Sequence, residues 1–273
     1  MMWKHFNKEQ LDQAYNNSLA VANSAALTQC WADNSLAVRM DIQGELNIAY
    51  GDMPRQCYDY FSVGNDSPII IFIHGGFWQR RSKDDFTFIV PPMLEQGLSV
   101  ALLGYRLAPQ ANMNEIILDI QSGLRAIEHK VRGERAVFPG FCLLGWSAGA
   151  HLAASVLDQS NIYAGVGISG IYDLEPMRHC YVNDLLQLDA QMAVKHSPIL
   201  HTCHFGKPFD LVVGDDELPE MKNQTLDFFQ YRNSRNQAGV FKLLQGLNHF
   251  TILNELIKQD GQILKLVKEA SNS

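Results

Sequence analysis

The stretch "LLGWSAGAHLA" (143–153) runs from aliphatic residues into small ones through Gly145-Trp146-Ser147-Ala148-Gly149, and its reading decides the fold. With a strand before it and a helix after it, this G-x-S-x-G forms a turn so tight that side chains two positions either side of Ser147 would strike neighbouring backbone. Glycine at both positions removes them, and Ser147 projects alone from the rim of a sheet. Taken by itself, a five-residue match also fits a glycine-bounded turn whose serine merely caps a helix. The residues around it decide between the two.

Working outward, "FCLLG" (141–145) is one of a series of short aliphatic and β-branched runs: "PIIIFIHGG" (68–76), "LSVALLGY" (98–105), "YAGVGIS" (163–169), "FDLVVG" (209–214) and "GVFKLLQ" (239–245). Near-continuous apolar runs are what strands covered on both faces require. Helical periodicity separates many of them, in "NEIILDIQSGLRAIEHKV" (114–131) and from about Ala148 onward. Strands alternating with helices predict an α/β fold with a mostly parallel central sheet flanked by helices. Ahead of this series, the first 35 residues read as helical. Then "AVRMDIQGELNIAYG" (37–51) and "CYDYFSV" (57–63) read as an antiparallel strand pair. No linker, repeat or low-complexity tract interrupts the chain, so one domain over 1–273 is expected, with 1–35 as an extension able to cover part of the site as a small lid.

Composition narrows the partners. A chain of 273 residues buries roughly 75% of its unfolded surface, enough for a large core. With 19% charged residues and a net charge of −7, it offers no basic face for nucleic acid or an anionic membrane. The start "MMWKHFNKEQ" lacks the apolar run of a secretory signal and no stretch approaches the roughly 20 apolar residues of a membrane span, so a cytoplasmic location is expected. Cys30, Cys57, Cys142, Cys180 and Cys203 are scattered and odd in number, as reduced thiols would be. A small-molecule partner fits best; the oligomeric state stays open, a homodimer included.

In parallel sheets the chemistry lies beyond the carboxyl ends of the strands. There, "HGGFW" (74–78) follows an apolar run, and its glycines allow backbone N–H groups to turn toward an oxyanion formed when Ser147 attacks a carbonyl. The expected donors are the amides of Gly76, Phe77 and Ala148, the last at the positive end of a helix. His74 is expected to orient the loop. A serine hydroxyl needs a base to take its proton. Among nine histidines, His151 is assigned to packing because the helix after the turn folds back on the sheet. His201 and His204, in "HTCH", lack a third metal ligand at a recognisable spacing, so no metal site is expected. His249, in the loop "QGLNHF" after the last strand, is free to swing over the sheet edge. The third group belongs between the two in chain order, and "LVVGDDELPE" (211–220) supplies three acids after a strand-ending glycine. Glu217 has the reach to orient His249, with Asp216 as the alternative; Asp215 and Asp216 also read as solvated charges near a helix that starts at Pro219.

Together "LDQAYNN", "HGGFWQRRSKDDF", "GYRLAP", "GWSAGAHLA", "SGIYDLEP", "GDDELPE" and "LNHF" resemble the α/β-hydrolase superfamily, within it the kynurenine formamidase (arylformamidase) branch related to hormone-sensitive-lipase-type esterases. The resemblance implies the same triad, with its acid at Glu217, where many members carry aspartate. It implies hydrolysis of the N-formyl amide of N-formylkynurenine or a related aryl formamide through a formyl-enzyme, with no metal or organic cofactor. Trp78 and Tyr172, beside Phe77, are then candidate walls for the aromatic leaving group. A broad carboxylesterase would use the same triad, and a non-catalytic binding protein would use the same fold.

Overall fold

The computed structural model describes residues 2–134, 137–201 and 206–272. Eight strands, β1 (Glu45–Ala49), β2 (Cys57–Phe61), β3 (Ile69–Ile73), β4 (Ser99–Leu103), β5 (Phe141–Trp146), β6 (Ile162–Ile168), β7 (Phe209–Gly214) and β8 (Phe241–Leu244), form one sheet. Its order is β1-β2-β4-β3-β5-β6-β7-β8. The first two pairings, β1 with β2 and β2 with β4, are antiparallel, and every later one is parallel. The α/β architecture expected from the alternating runs is the one observed: an α/β-hydrolase fold.

The helices are α1 (Lys8–Tyr15), α2 (Asn17–Ala20), α3 (Ser24–Asp41), α4 (Val90–Glu95), α5 (Met113–Glu134), α6 (Ala148–Ser155), α7 (Asn183–Leu186), α8 (Ala190–His196), α9 (Pro198–His201), α10 (Pro219–Asn233) and α11 (Gln262–Ser271). They cover both faces of the sheet, which explains the unbroken apolar runs. In β3, Ile69, Ile71 and Ile73 join a core with α5, α6 and α10, while Ile70 and Phe72 join a second core with α4 and α11. Each alternate residue is therefore buried, on one side or the other. At about 25 cal/mol per Å² of apolar surface, such side chains contribute roughly 1.5–3 kcal/mol each relative to exposure.

One expectation needs correction. Residues 37–41, read as the start of a strand, are the last turn of α3, and β1 begins only at Glu45. A run such as "AVRMD" fits either period, and tertiary contacts decide it. Arg39 on this turn pairs with the fully buried Asp59 of β2, whose other oxygen accepts from Lys83 Nζ at 2.6 Å and from the Asn47 amide at 2.7 Å. A strand over 37–41 would leave that carboxylate without its guanidinium.

Chain order explains where a site can form. β4 lies outside β3, and the chain then crosses back so that β5 pairs with the other edge of β3. At this reversal the loops after β3 and β5 diverge and leave a crevice at the strands' carboxyl ends.

Candidate active site

The turn after β5 carries Ser147 at φ 57° and ψ −120°, a conformation that side chains disfavour. Its amide donates to the Ile168 carbonyl of β6 at 2.8 Å, pinning the strained residue. The flanking glycines are obligatory: a Cβ on Gly149 would sit 1.9 Å from the Ile73 carbonyl oxygen, and one on Gly145 2.3 Å from that of Gly149. The serine at the helix N-terminus makes no side-chain cap bond, so its hydroxyl is available elsewhere.

It is directed at His249. Ser147 Oγ lies 3.1 Å from His249 Nε2, and His249 Nδ1 lies 2.7 Å from Glu217 Oε2. All three side chains are buried. Because an ionised carboxylate only accepts, Nδ1 carries the proton and donates it to Glu217; Nε2 is then the acceptor for the Ser147 hydroxyl. This is the tautomer a general base requires. Glu217 is held in turn: its Oε1 accepts from Ser169 Oγ at 2.5 Å and from the Gly214 amide at 2.9 Å. Asp216 is exposed and turned away, with its amide on the Leu247 carbonyl at 3.2 Å. Asp215, expected to be merely solvated, accepts from the Gly246 amide at 2.6 Å and so ties the acid loop to the loop that delivers His249.

The loop after β3 takes three consecutive positive φ values, at Gly76 (113°), Phe77 (52°) and Trp78 (58°). Among the described residues, the Gly76 and Phe77 amides donate to no protein acceptor, whereas the Gly76 carbonyl accepts from the Gln79 and Arg80 amides. Ala148 is the first residue of α6, where the helix leaves its N–H groups unpaired. Gly76, Phe77, Ser147 and His249 line one small cavity, with Trp146, Phe250, Arg80, Arg81, Asn17 and Ser18. Its enclosed part, about 30 Å³, holds a water or two, or a group of formyl size, and the cavity opens outward to solvent. A hollow of about 570 Å³ lined by Trp3, Arg178 and Asp184 shares no lining residue with it.

Two proposed walls do not reach the cavity. Trp78 is fully buried behind the loop, its Nε1 donating to His151 Nδ1 at 3.2 Å, because its left-handed backbone turns the indole inward. Tyr172 is also fully buried and stacks on Phe228 with ring centroids 4.2 Å apart. His74 and His151 both serve as supports. His74 Nδ1 donates to the Gly75 carbonyl at 2.7 Å, and its ring stacks on Tyr105 at 4.4 Å. His151 accepts from Trp78 and donates from Nε2 to the His196 carbonyl at 2.8 Å. Burial pushes the pKa of each down to about 3, so both are neutral at ordinary pH. Of the "HTCH" pair, His201 donates to the Val194 carbonyl, while His204, like Cys203, lies outside the described residues. The four cysteines that are described are unpaired thiols.

Sequence reasoning overlooked Ser169 and Trp146. Ser169 follows β6 at φ 52°, a turn that aims its hydroxyl at Glu217. Trp146 donates from Nε1 to the His249 carbonyl at 3.0 Å. A small polar residue directly after an apolar strand was the only signal for the former; nothing local marks the latter.

The mostly parallel sheet, with a strained serine on a strand-to-helix turn and a histidine within reach of it, places this chain among the hydrolases of the α/β-hydrolase superfamily. The comparisons sharpen this. The family model described as BD-FAE matches residues 60–161. A kynurenine formamidase of Danio rerio is 26% identical over 287 residues, covering 97% of each chain. The isoprenylcysteine alpha-carbonyl methylesterase ICME of Arabidopsis thaliana is 31% identical over 146 residues, 47% of this chain and 34% of that one. A crystal structure from Silicibacter sp. TM1040, described provisionally as a thioesterase, superposes with a TM-score of 0.85 at 25% identity, covering 94% of this chain and 98% of the other. Among the described residues no helix is long and apolar enough to cross a membrane.

Proposed function

We propose that this hydrolase cleaves the N-formyl amide of N-formylkynurenine or a related aryl formamide. The observation that carries the reading is similarity to a kynurenine formamidase along 97% of both chains, since substrate choice depends on loops that a local motif match does not sample. The small cavity beside Ser147 supports it, since a formyl group fits there.

In this reading Ser147 gives its proton to His249 Nε2 and attacks the formyl carbon. The amides of Gly76, Phe77 and Ala148 receive the oxyanion. Glu217 stabilises the imidazolium, which protonates the departing aryl amine. Water, deprotonated by His249, then releases formate from Ser147. The test is kcat/KM for N-formylkynurenine beside a short-chain aryl ester, with Ser147→Ala as blank. A strong preference for the formamide, lost in the variant, is expected; turnover of the ester alone would overturn the substrate. That outcome would favour a carboxylesterase, the second reading, which rests on the 31% identical stretch shared with the Arabidopsis methylesterase.

A further inference from the structure

Two side chains in the cavity take no part in this chemistry. Arg81 lines it half-buried, and among the described residues its guanidinium has neither a hydrogen bond nor an ion pair. Its position is nonetheless fixed. The backbone is left-handed at φ 74°, the Arg81 carbonyl accepts from Arg55, and a Cβ on Gly76 would lie 3.0 Å from Arg81 Cγ. The stem of Arg81 therefore packs directly over Gly76. The neighbouring carboxylate of Asp85 accepts from the Ser82 amide at 2.9 Å and acts on Arg81 only through space, without a bond to it, while the exposed Arg80, also at the cavity, adds a second positive charge. Burial lowers the pKa of Arg81, as expected of a cation withdrawn from water without a bonded anion.

Asn17 lines the same cavity. It is 4% exposed, and neither Oδ1 nor Nδ2 has a hydrogen-bond partner. A buried amide with both ends unpaired is costly, and native structures pair the great majority of such groups. An unpartnered fork donor and an unpartnered amide facing one reactive cavity are what a ligand bearing both signs of charge would satisfy.

We infer that Arg81 and Asn17 form a receptor for an α-amino-acid tail on the leaving group: Arg81 and Asn17 Nδ2 donate to its carboxylate, and Asn17 Oδ1 accepts from its ammonium. The inference deepens the formamidase reading and rests on it, since N-formylkynurenine carries such a tail on its aromatic amine. Specificity follows from desolvation: a substrate without the tail leaves a half-buried guanidinium and a buried amide unpaired in the bound state.

The test uses two matched pairs. N-formylkynurenine is compared with 2′-formamidoacetophenone, and O-acetyl-tyrosine with 4-methylphenyl acetate; each pair differs in the tail alone. Wild type is expected to prefer the tailed member in kcat/KM. In Arg81→Gln and in Asn17→Leu that preference falls roughly 10- to 100-fold, as loss of a charge-assisted or buried bond implies. Arg81→Lys retains part of it, having the charge without the fork. Asn17→Leu is also expected to melt no lower than wild type, because it removes an unpaired amide; a purely structural asparagine would destabilise when replaced. An unchanged preference in both variants overturns the receptor. If Arg81→Gln does not fold, inhibition of wild type by tyrosine at tenfold lower concentration than 4-methylphenol supports it, and equal inhibition overturns it. Cleavage of esters only, with the preference still set by Arg81, would remove the formamide reading and keep the receptor. Formamide cleavage with an unaltered preference would do the reverse.

Discussion

His74→Asn isolates a cost that the loop after β3 imposes on the whole protein. His74 is fully buried between the rings of Phe86 and Tyr105, and its pKa is pushed down to about 3, from an ordinary value near 6.5. Between those two values the unfolded chain holds a proton that the folded chain refuses, so acid favours unfolding. Stability is complete above pH 6.5 and falls as pH drops toward 3. Linkage with these two values gives a loss of about 2.5 kcal/mol from this one side chain between pH 7.0 and 4.5. Asparagine places an amide N–H near the position of Nδ1, able to hold the Gly75 carbonyl, and does not titrate. Any void it leaves costs the same at both pH values. Urea unfolding at pH 7.0 and 4.5 reads the difference directly: wild type should lose about 2.5 kcal/mol more than His74→Asn across that interval. Parallel losses in the two proteins, agreeing within about 0.5 kcal/mol, would show that His74 is protonated in the native state and refute the argument. His151, buried with its pKa likewise near 3, adds a similar amount.

Glu217→Gln should lower kcat on the order of 10³- to 10⁴-fold, because an amide donor facing Nδ1 turns the imidazole to the wrong tautomer. Asp216→Asn, at an exposed side chain, should stay within about twofold of wild type; steady-state kinetics on the same substrate compares them, and a larger loss at Asp216 would reassign the acid. Ser169→Ala removes a buried hydroxyl that donates to Glu217 Oε1, so thermal unfolding should show about 1–3 kcal/mol of destabilisation alongside a reduced kcat. Full activity in that variant would mean that the Gly214 amide alone positions the acid.

What could be read from the chain follows the range of the forces involved. The strands after Pro68 were legible because burial on both faces demands unbroken apolar runs, and the turn at Ser147 because its backbone tolerates nothing but glycine at two flanking positions. Ser147, Glu217 and His249 were legible as candidates because each stands just past such a run. The antiparallel edge was less so: residues 37–41 carry a pattern that suits strand and helix alike, and the buried Asp59 beside Arg39 settles it.

The choice among neighbours within a loop was a different matter. Trp78 and Tyr172 are aromatic residues in the right loops, yet backbone torsions of about 50–60° and stacking on Phe228 send them into the core. Ser169 and Trp146 gain their contacts with Glu217 and His249 from segments brought together only by the fold, across separations of 48 and 103 residues. Asn17 and Arg81 line one cavity with Ser147 although they are far apart in the chain. The sequence by itself determined the layers of the fold and the chemical types at the strand ends, since both depend on local burial and backbone sterics. Tertiary structure alone decided which side chains face the serine, because that depends on contacts between segments far apart in the chain.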